Sequence, residues 1–198
     1  MKQENKTIKD LLLIPNLLTI SRMILIFPAL YFFHREFYPL AILLIVLLFL
    51  TDFLDGMLAR KLNMESFIGA ILDPVADKIV VLSFFSYLAY FNKVFFIYFL
   101  LILIRDISQL LSIPVLLMWK KIPFKVKPKM IPKWGTALNF ILLGILFFDI
   151  VLPILNFEIM HYLLISIYFI SGCIEVYILV TYIPRFVQIY KGEHDTFE

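Results

Sequence analysis

The chain has 198 residues, 62% of them hydrophobic and 17% charged, with a formal net charge of +3 and a mean hydropathy of +0.94. A water-soluble domain of this size needs a polar surface that such a composition does not supply, so a single integral membrane domain over residues 1–198 is expected. The lone cysteine, Cys173, excludes an intramolecular disulfide, and the one lysine cluster comes with no nucleic-acid-binding pattern, so no nucleic-acid partner is expected.

In chain order, hydrophobic blocks predict six transmembrane helices at roughly 17–34, 38–60, 66–91, 94–118, 134–153 and 158–184, an all-α membrane bundle. Residues 1–16 form an N-terminal cytoplasmic or interfacial segment. The stretch LLLIPNLLTISRMILIFPALYFF is read as retained rather than as a signal peptide, because Arg22 interrupts its apolar core and no small-residue cleavage site follows. Asn16, Thr19 and Arg22 recur every three residues there and share one broad face. Near the helix start, Arg22 has two readings: a side chain snorkelling to the interface, or part of a polar site.

The second and third blocks carry Asp52, Asp55, Asp73 and Asp77 inside sequence apolar enough to cross a bilayer, where an ionisable residue is costly and marks function by default. Asp52 and Asp55 are three apart and Asp73 and Asp77 four apart, so each pair lies on one helix face. Gly56 and Gly69 each sit one turn from an aspartate and leave room for close approach. Two such faces packed together gather four carboxylates, and two divalent cations would balance them. Oxygen-only ligands favour Mg²⁺ or Mn²⁺ over zinc, so the stretch reads as a two-metal site for phosphoryl-type transfer.

The loop WKKIPFKVKPKMIPK carries Lys120, Lys121, Lys125, Lys127, Lys129 and Lys133. With Lys2, Lys6, Lys9, Arg60, Lys61, Arg185 and Lys191, these fall on one side of a six-span chain, while Arg35 and Lys93 fall on the other. Both termini and the acidic stretch are therefore expected at the cytoplasmic face. The loop reads as a topology determinant and anionic-lipid contact, with a substrate-phosphate role for Lys133 as the alternative. The fourth span holds Arg105, Asp106, Ser108, Gln109 and Ser112. Arg105 and Asp106 diverge by about 100° around the helix, so each is expected to need its own partner, and Arg105 is either half of an interhelical pair or a contact for an acceptor phosphate. Tyr168, Ser171 and Glu175 make a stripe in the last span, where Glu175 reads as a partner for Arg105 or Lys133 or as part of a cavity lining. His34 and His161 read as interfacial rather than metal-bound, and Tyr38, Tyr162 and Trp119 as aromatic-belt residues.

The spacing Asp52-x2-Asp55-Gly56-x2-Ala59-Arg60-x8-Gly69-x3-Asp73-x3-Asp77 resembles the signature of the CDP-alcohol phosphatidyltransferases, integral-membrane enzymes of phospholipid synthesis. All eight signature residues stand at the family's spacing. The resemblance implies attack of an alcohol hydroxyl on the β-phosphate of CDP-diacylglycerol with release of CMP. It implies Asp52, Asp55, Asp73 and Asp77 as ligands of two divalent cations, with Asp77 also accepting the alcohol's proton. Gly56 and Ala59 would leave room for the cytidine, Arg60 would offer donors to phosphate or base, and Gly69 belongs to the same motif. PNLLTISR is similar to the N-terminal segment of the phosphatidylglycerophosphate synthase and cardiolipin synthase branches, which brings Asn16 and Thr19 to the nucleotide or lipid head. One departure is Pro28, six residues after Arg22 where those branches place a proline five after. The start and LDPVADK resemble the first branch, whose acceptor is glycerol 3-phosphate; Arg105-Asp106 and KPKMIPKWGTALNF resemble the second, whose acceptor is phosphatidylglycerol. The first is the expected acceptor. Family members are often homodimers, and a multi-pass protein of a bacterial inner membrane or its equivalent is implied.

Three other readings compete. The carboxylates could be neutralised internally by Arg22, Arg60, Lys78 and Arg105, which leaves the glycine and alanine spacing without an account. Membrane prenyltransferases also use Asp-rich helices but lack the Ala-Arg-x8-Gly bridge. An intramembrane cation transporter using the aspartate cluster predicts paired half-chain symmetry, and no internal repeat is present.

Overall fold

The computed structural model describes residues 12–62, 64, 66–114, 125–126, 130–152, 157–192 and 196–197. Six helices account for nearly all of them: α1 (Ile14–His34), α2 (Tyr38–Lys61), α3 (Phe67–Tyr90), α4 (Phe96–Pro114), α5 (Met130–Val151) and α6 (Phe157–Lys191). Two two-residue segments, Lys125–Val126 and Thr196–Phe197, pair in parallel and build no layer. Among the described residues, four stretches are long and apolar enough to cross a membrane: Ile14–His34, Tyr38–Lys61, Lys133–Val151 and His161–Lys191. The architecture is all-helical, as composition demands.

The chain divides into two compact units, Met1–Tyr87 and Leu88–Glu198. In the first, α1 opens with Pro15, whose fixed φ suits a first turn where its missing N–H has no role. The helix closes at Glu36, which takes a left-handed φ of 59° while Glu36 N–H bonds to Phe33 O and Phe37 N–H to Phe32 O. That pair of bonds satisfies carbonyls at the helix end. Pro39 then stands in the first turn of α2, so a three-residue link joins two long helices. Their packing is anchored by Phe33, whose ring meets Tyr38 at 5.4 Å and Tyr87 at 5.8 Å, edge-on in both cases.

In the second unit, Asn92 at φ 55° leads into α4, with Asn92 N–H on Ala89 O and Lys93 N–H on Leu88 O. Among the described residues its buried apolar side chains are Leu88, Val94, Tyr98, Ile102, Leu142, Leu143, Leu146, Ile178 and Ile189. Gly135 lets α5 and α6 approach closely: a Cβ there would stand 2.9 Å from Ile174 Cγ2.

Burial is inverted relative to a water-soluble protein. Arg22 is 1% exposed and Glu175 0%, while Phe27 is 69% and Phe169 72% exposed. Many large apolar side chains point outward along the helices while Arg22, Asp55, Arg105, Asp106 and Glu175 are buried, the pattern expected when the surrounding solvent is lipid.

Helix positions follow the hydrophobic blocks closely, with differences at three ends, one being α5, which begins at Met130 rather than near 134. The first helix begins at Ile14, because Pro15 is compatible with its first turn. The last runs past Pro184 to Lys191, ending beside Gly192 at φ 80° rather than at the proline. A single proline removes one ladder bond from a helix and need not end it. Lys2, Lys6, Lys9, Trp119, Lys120, Lys121, Lys127 and Lys129 lie outside the described residues, as does the side chain of Lys125.

Candidate functional site: an aspartate cluster around Arg22 and Thr19

The site is built within the first unit from three helices. Asp52 and Asp55 lie on α2, Asp73 and Asp77 on α3, and Asn16, Thr19 and Arg22 on α1. The helical spacing brings each trio or pair to one face, and those faces meet. Arg22 forms ion pairs through Nη1 with Asp52 Oδ1 and with Asp77 Oδ1 at 3.2 Å, and its Nη2 lies 3.7 Å from Asp55 Oδ2. The Thr19 hydroxyl donates to Asp55 Oδ2 at 2.9 Å, with Asp73 Oδ1 and the Pro15 carbonyl oxygen both at 3.1 Å. All four predicted aspartates are thus tied to α1, three through the guanidinium and two through the hydroxyl.

One guanidinium and one hydroxyl between them reach all four carboxylates. A hydroxyl has a single proton and serves one acceptor at a time. Asp55 is buried, whereas the Asp52 and Asp77 side chains are 49% and 56% exposed. The cluster therefore has a closed side at Arg22, whose side chain is 2% exposed, and an open side at Asp52 and Asp77. Snorkelling is not what Arg22 does here: it is an internal counter-ion.

Among the described residues no three acidic, histidine or cysteine side chains stand as a ready-made cation site. The donor set itself suits a hard divalent cation, being four carboxylates with no nitrogen or sulfur. It is Arg22 that holds three of them. His34 and His161 belong to no cation-holding group among the described residues. Their rings meet Tyr87 and Tyr162 respectively.

The two motif glycines differ. A Cβ on Gly56 would meet nothing within 4 Å, so the α2 face beside the aspartates is open. A Cβ on Gly69 would stand 2.6 Å from Asn16 Oδ1 and 3.2 Å from Ser66 Oγ. Gly69 is therefore a packing requirement for Asn16, which is buried and donates through Nδ2 to Ser66 Oγ at 3.0 Å. Ser66 Oγ also accepts the Gly69 N–H at 3.0 Å, capping the first turn of α3. Sequence reasoning missed Ser66, although a serine three residues before a glycine at the edge of an apolar run is a recognisable start signal. Ala59 is half-buried on α2, and the exposed Arg60 donates from Nε to Gly56 O at 3.1 Å. Lys78 is half-buried on α3.

The acceptor-phosphate candidates lie in the second unit. Arg105 is buried and donates from Nη1 to Glu175 Oε1 at 3.1 Å, while its Nε is 3.0 Å from Asp106 Oδ1. Arg105 and Asp106, expected to need separate partners, pair with one another, since the long arginine side chain curls back along its own helix. Glu175 takes Arg105 rather than Lys133, whose position at the start of α5 is exposed. Asn139 and Tyr98 complete the network and were not singled out from sequence. Asn139 Nδ2 donates to Glu175 Oε1 at 2.8 Å, and Asn139 Oδ1 accepts from Tyr98 at 2.6 Å and Ser171 at 3.0 Å. Ser112 and the Tyr182 hydroxyl form a further hydrogen bond between α4 and α6.

A family model described as CDP-alcohol phosphatidyltransferase matches residues 12–180. The chain is 41% identical over 140 residues to a CDP-diacylglycerol–glycerol-3-phosphate 3-phosphatidyltransferase of Aquifex aeolicus, covering 67% of this chain and 76% of that one. It is 31% identical over 160 residues to a cardiolipin synthase (CMP-forming) / mitochondrial hydrolase fusion protein of Schizosaccharomyces pombe, covering 73% of this chain and 27% of that one. A relative in Wigglesworthia glossinidia brevipalpis, named like the first, is 45% identical over 73 residues, 34% of this chain and 39% of that one. The chain belongs to the CDP-alcohol phosphatidyltransferase family, enzymes of phospholipid biosynthesis.

Proposed function

We propose that the protein transfers the phosphatidyl group of CDP-diacylglycerol to glycerol 3-phosphate, releasing CMP and forming phosphatidylglycerophosphate. The observation that carries this reading is the meeting of Asp52 and Asp55 of α2 with Asp73 and Asp77 of α3 around Arg22 and Thr19 of α1, in a chain 41% identical to a relative bearing that name. Asp52, Asp55, Asp73 and Asp77 would hold two divalent cations, Mg²⁺ or Mn²⁺. When bound, such cations supply neutralising charge at the diphosphate and the departing CMP. Asp77, half-exposed on the open side, accepts the proton of the acceptor hydroxyl as its oxygen bonds to the β-phosphorus and the bond to CMP breaks. The open face at Gly56, with Ala59 and Arg60 beside it, receives the cytidine. Asn16, Thr19 and Gly69 hold the wall behind it. Arg105 and Lys133 are the proposed contacts for the acceptor's phosphate.

The same reading has one domain over residues 1–198, six spans, both termini and the acidic cluster at the cytoplasmic side of a bacterial inner membrane or its equivalent, and a homodimer. Lys and Arg asymmetry supports the orientation. A second acceptor, phosphatidylglycerol, is supported by the Arg105-Asp106 and KPKMIPKWGTALNF stretches, which resemble the cardiolipin synthase branch, and by the similarity to the cardiolipin synthase fusion protein.

The test is CMP release by purified protein given CDP-diacylglycerol, Mg²⁺ or Mn²⁺, and glycerol 3-phosphate, phosphatidylglycerol, serine or myo-inositol phosphate singly. Release with glycerol 3-phosphate alone supports the assignment. Release with phosphatidylglycerol alone transfers it to the second acceptor.

A further inference from the structure

Arg22 is buried deepest of the charged groups in the aspartate cluster, and how it is held is unusual. Its Nη1 carries the pairs with Asp52 and Asp77, on two different helices. Its Nε and Nη2 have no hydrogen-bond partner among the described residues. A guanidinium offers five donors in a rigid fork, and a buried one normally uses most of them. Arg22 is anchored by the carboxylates and by little else. Two of the three carboxylates it engages, Asp52 and Asp77, are about half exposed, while Arg22 itself and Asp55 are buried.

We propose that Arg22 is a resident competitor of the divalent cations: its guanidinium and the metal draw on the same carboxylates, and cation binding loosens Arg22 from Asp52 and Asp77. The proposal rests on the reading of the four aspartates as cation ligands. Two physical effects carry it. A fixed positive charge within about 4 Å of a cation site repels the incoming ion, strongly where water is sparse. The incoming ion also needs oxygens that Nη1 already holds, and Nε and Nη2 make no hydrogen bond, so apart from the longer Nη2–Asp55 ion pair little restrains the side chain from turning away. The consequence is a set affinity. With Arg22 in place the cluster stays neutralised enough to fold inside apolar helices, and it takes up cations more weakly than four free carboxylates would.

The experiment is Mn²⁺ titration of the full-length protein in detergent, read by the electron paramagnetic resonance signal of free Mn²⁺, for wild type, Arg22→Gln and Arg22→Lys, without substrate. Arg22→Gln removes the charge and is expected to bind Mn²⁺ more than about tenfold tighter than wild type. Arg22→Lys, which keeps charge and loses the fork, falls between. Unchanged or weaker binding in Arg22→Gln, with wild type binding normally, overturns the proposal alone and makes Arg22 a positioner of the carboxylates. Wild type that takes up no Mn²⁺ overturns both the proposal and the cation reading beneath it. Should Arg22→Gln fail to fold without cation, the wild-type Arg22 Nε–Hε resonance decides, identified by its loss in Arg22→Lys. It is expected to move as Mg²⁺ saturates the protein, and a resonance unmoved at saturation contradicts the competition.

Discussion

Arg105 on α4 donates to Glu175 on α6 across 3.1 Å, and the same glutamate oxygen accepts from Asn139 on α5 at 2.8 Å. One carboxylate oxygen thus ties three helices of the second unit together at a depth where water is scarce. Glu175→Ala leaves Arg105 and Asn139 without that acceptor and is expected to destabilise the protein by about 3 kcal/mol. Glu175→Gln keeps an acceptor oxygen of the same reach and should cost about 1 kcal/mol. Denaturant unfolding of both variants in detergent measures the difference; equal losses would mean the charge, not the hydrogen bonds, does the work.

Gly56 and Gly69 belong to one motif and should respond oppositely. Gly56→Ala meets open space in the interior of α2, so the helix is expected to gain up to about 1 kcal/mol. Activity should fall in the same variant, because the added methyl occupies the proposed cytidine face, and the loss should appear as a raised KM for CDP-diacylglycerol. A stable Gly56→Ala with unchanged KM contradicts that placement.

Gly69→Ala instead drives a methyl to 2.6 Å from Asn16 Oδ1 and pushes Asn16 off Ser66. A cost of about 1–3 kcal/mol is expected. Adding Asn16→Ala removes the clash, so the double variant should be less damaged than the two single losses summed. The double-mutant cycle checks this directly.

Ser66→Ala removes the acceptor for the Gly69 N–H and the partner of Asn16. The loss of the cap is expected to lower stability by about 1 kcal/mol. Amide hydrogen exchange should show faster exchange confined to the first turn of α3, and no local change there would remove the capping assignment.

Much of this was legible in the sequence, for identifiable reasons. Blocks of about twenty apolar residues state where helices lie, because lipid leaves the backbone no other partner than itself. Asp52, Asp55, Asp73 and Asp77 stand out because ionisable residues in such blocks need a reason. What was not legible is pairing across helices. Arg22, Thr19 and Asn16 share a face by spacing, but nothing in the spacing says that Arg22 lies behind Asp52 and Asp77 while Asn16 sits against Gly69. Asn139 and Tyr98 are single polar groups in apolar helices, and their meaning comes from Glu175 and Ser171, which lie 36 and 73 residues further along the chain respectively. Pro184 misleads for another reason: its effect on a helix depends on what surrounds it, not on the residue alone.

The central claim is that the aspartate cluster performs cation-dependent phosphatidyl transfer, and CMP release from CDP-diacylglycerol with glycerol 3-phosphate tests it most directly. Wild type with Mg²⁺ or Mn²⁺ is expected to release CMP and form phosphatidylglycerophosphate, chelation to abolish release, and Asp77→Asn to lower it by about 10²-fold or more with folding intact. Release that persists undiminished in folded Asp77→Asn, or in the presence of chelator, would contradict the account.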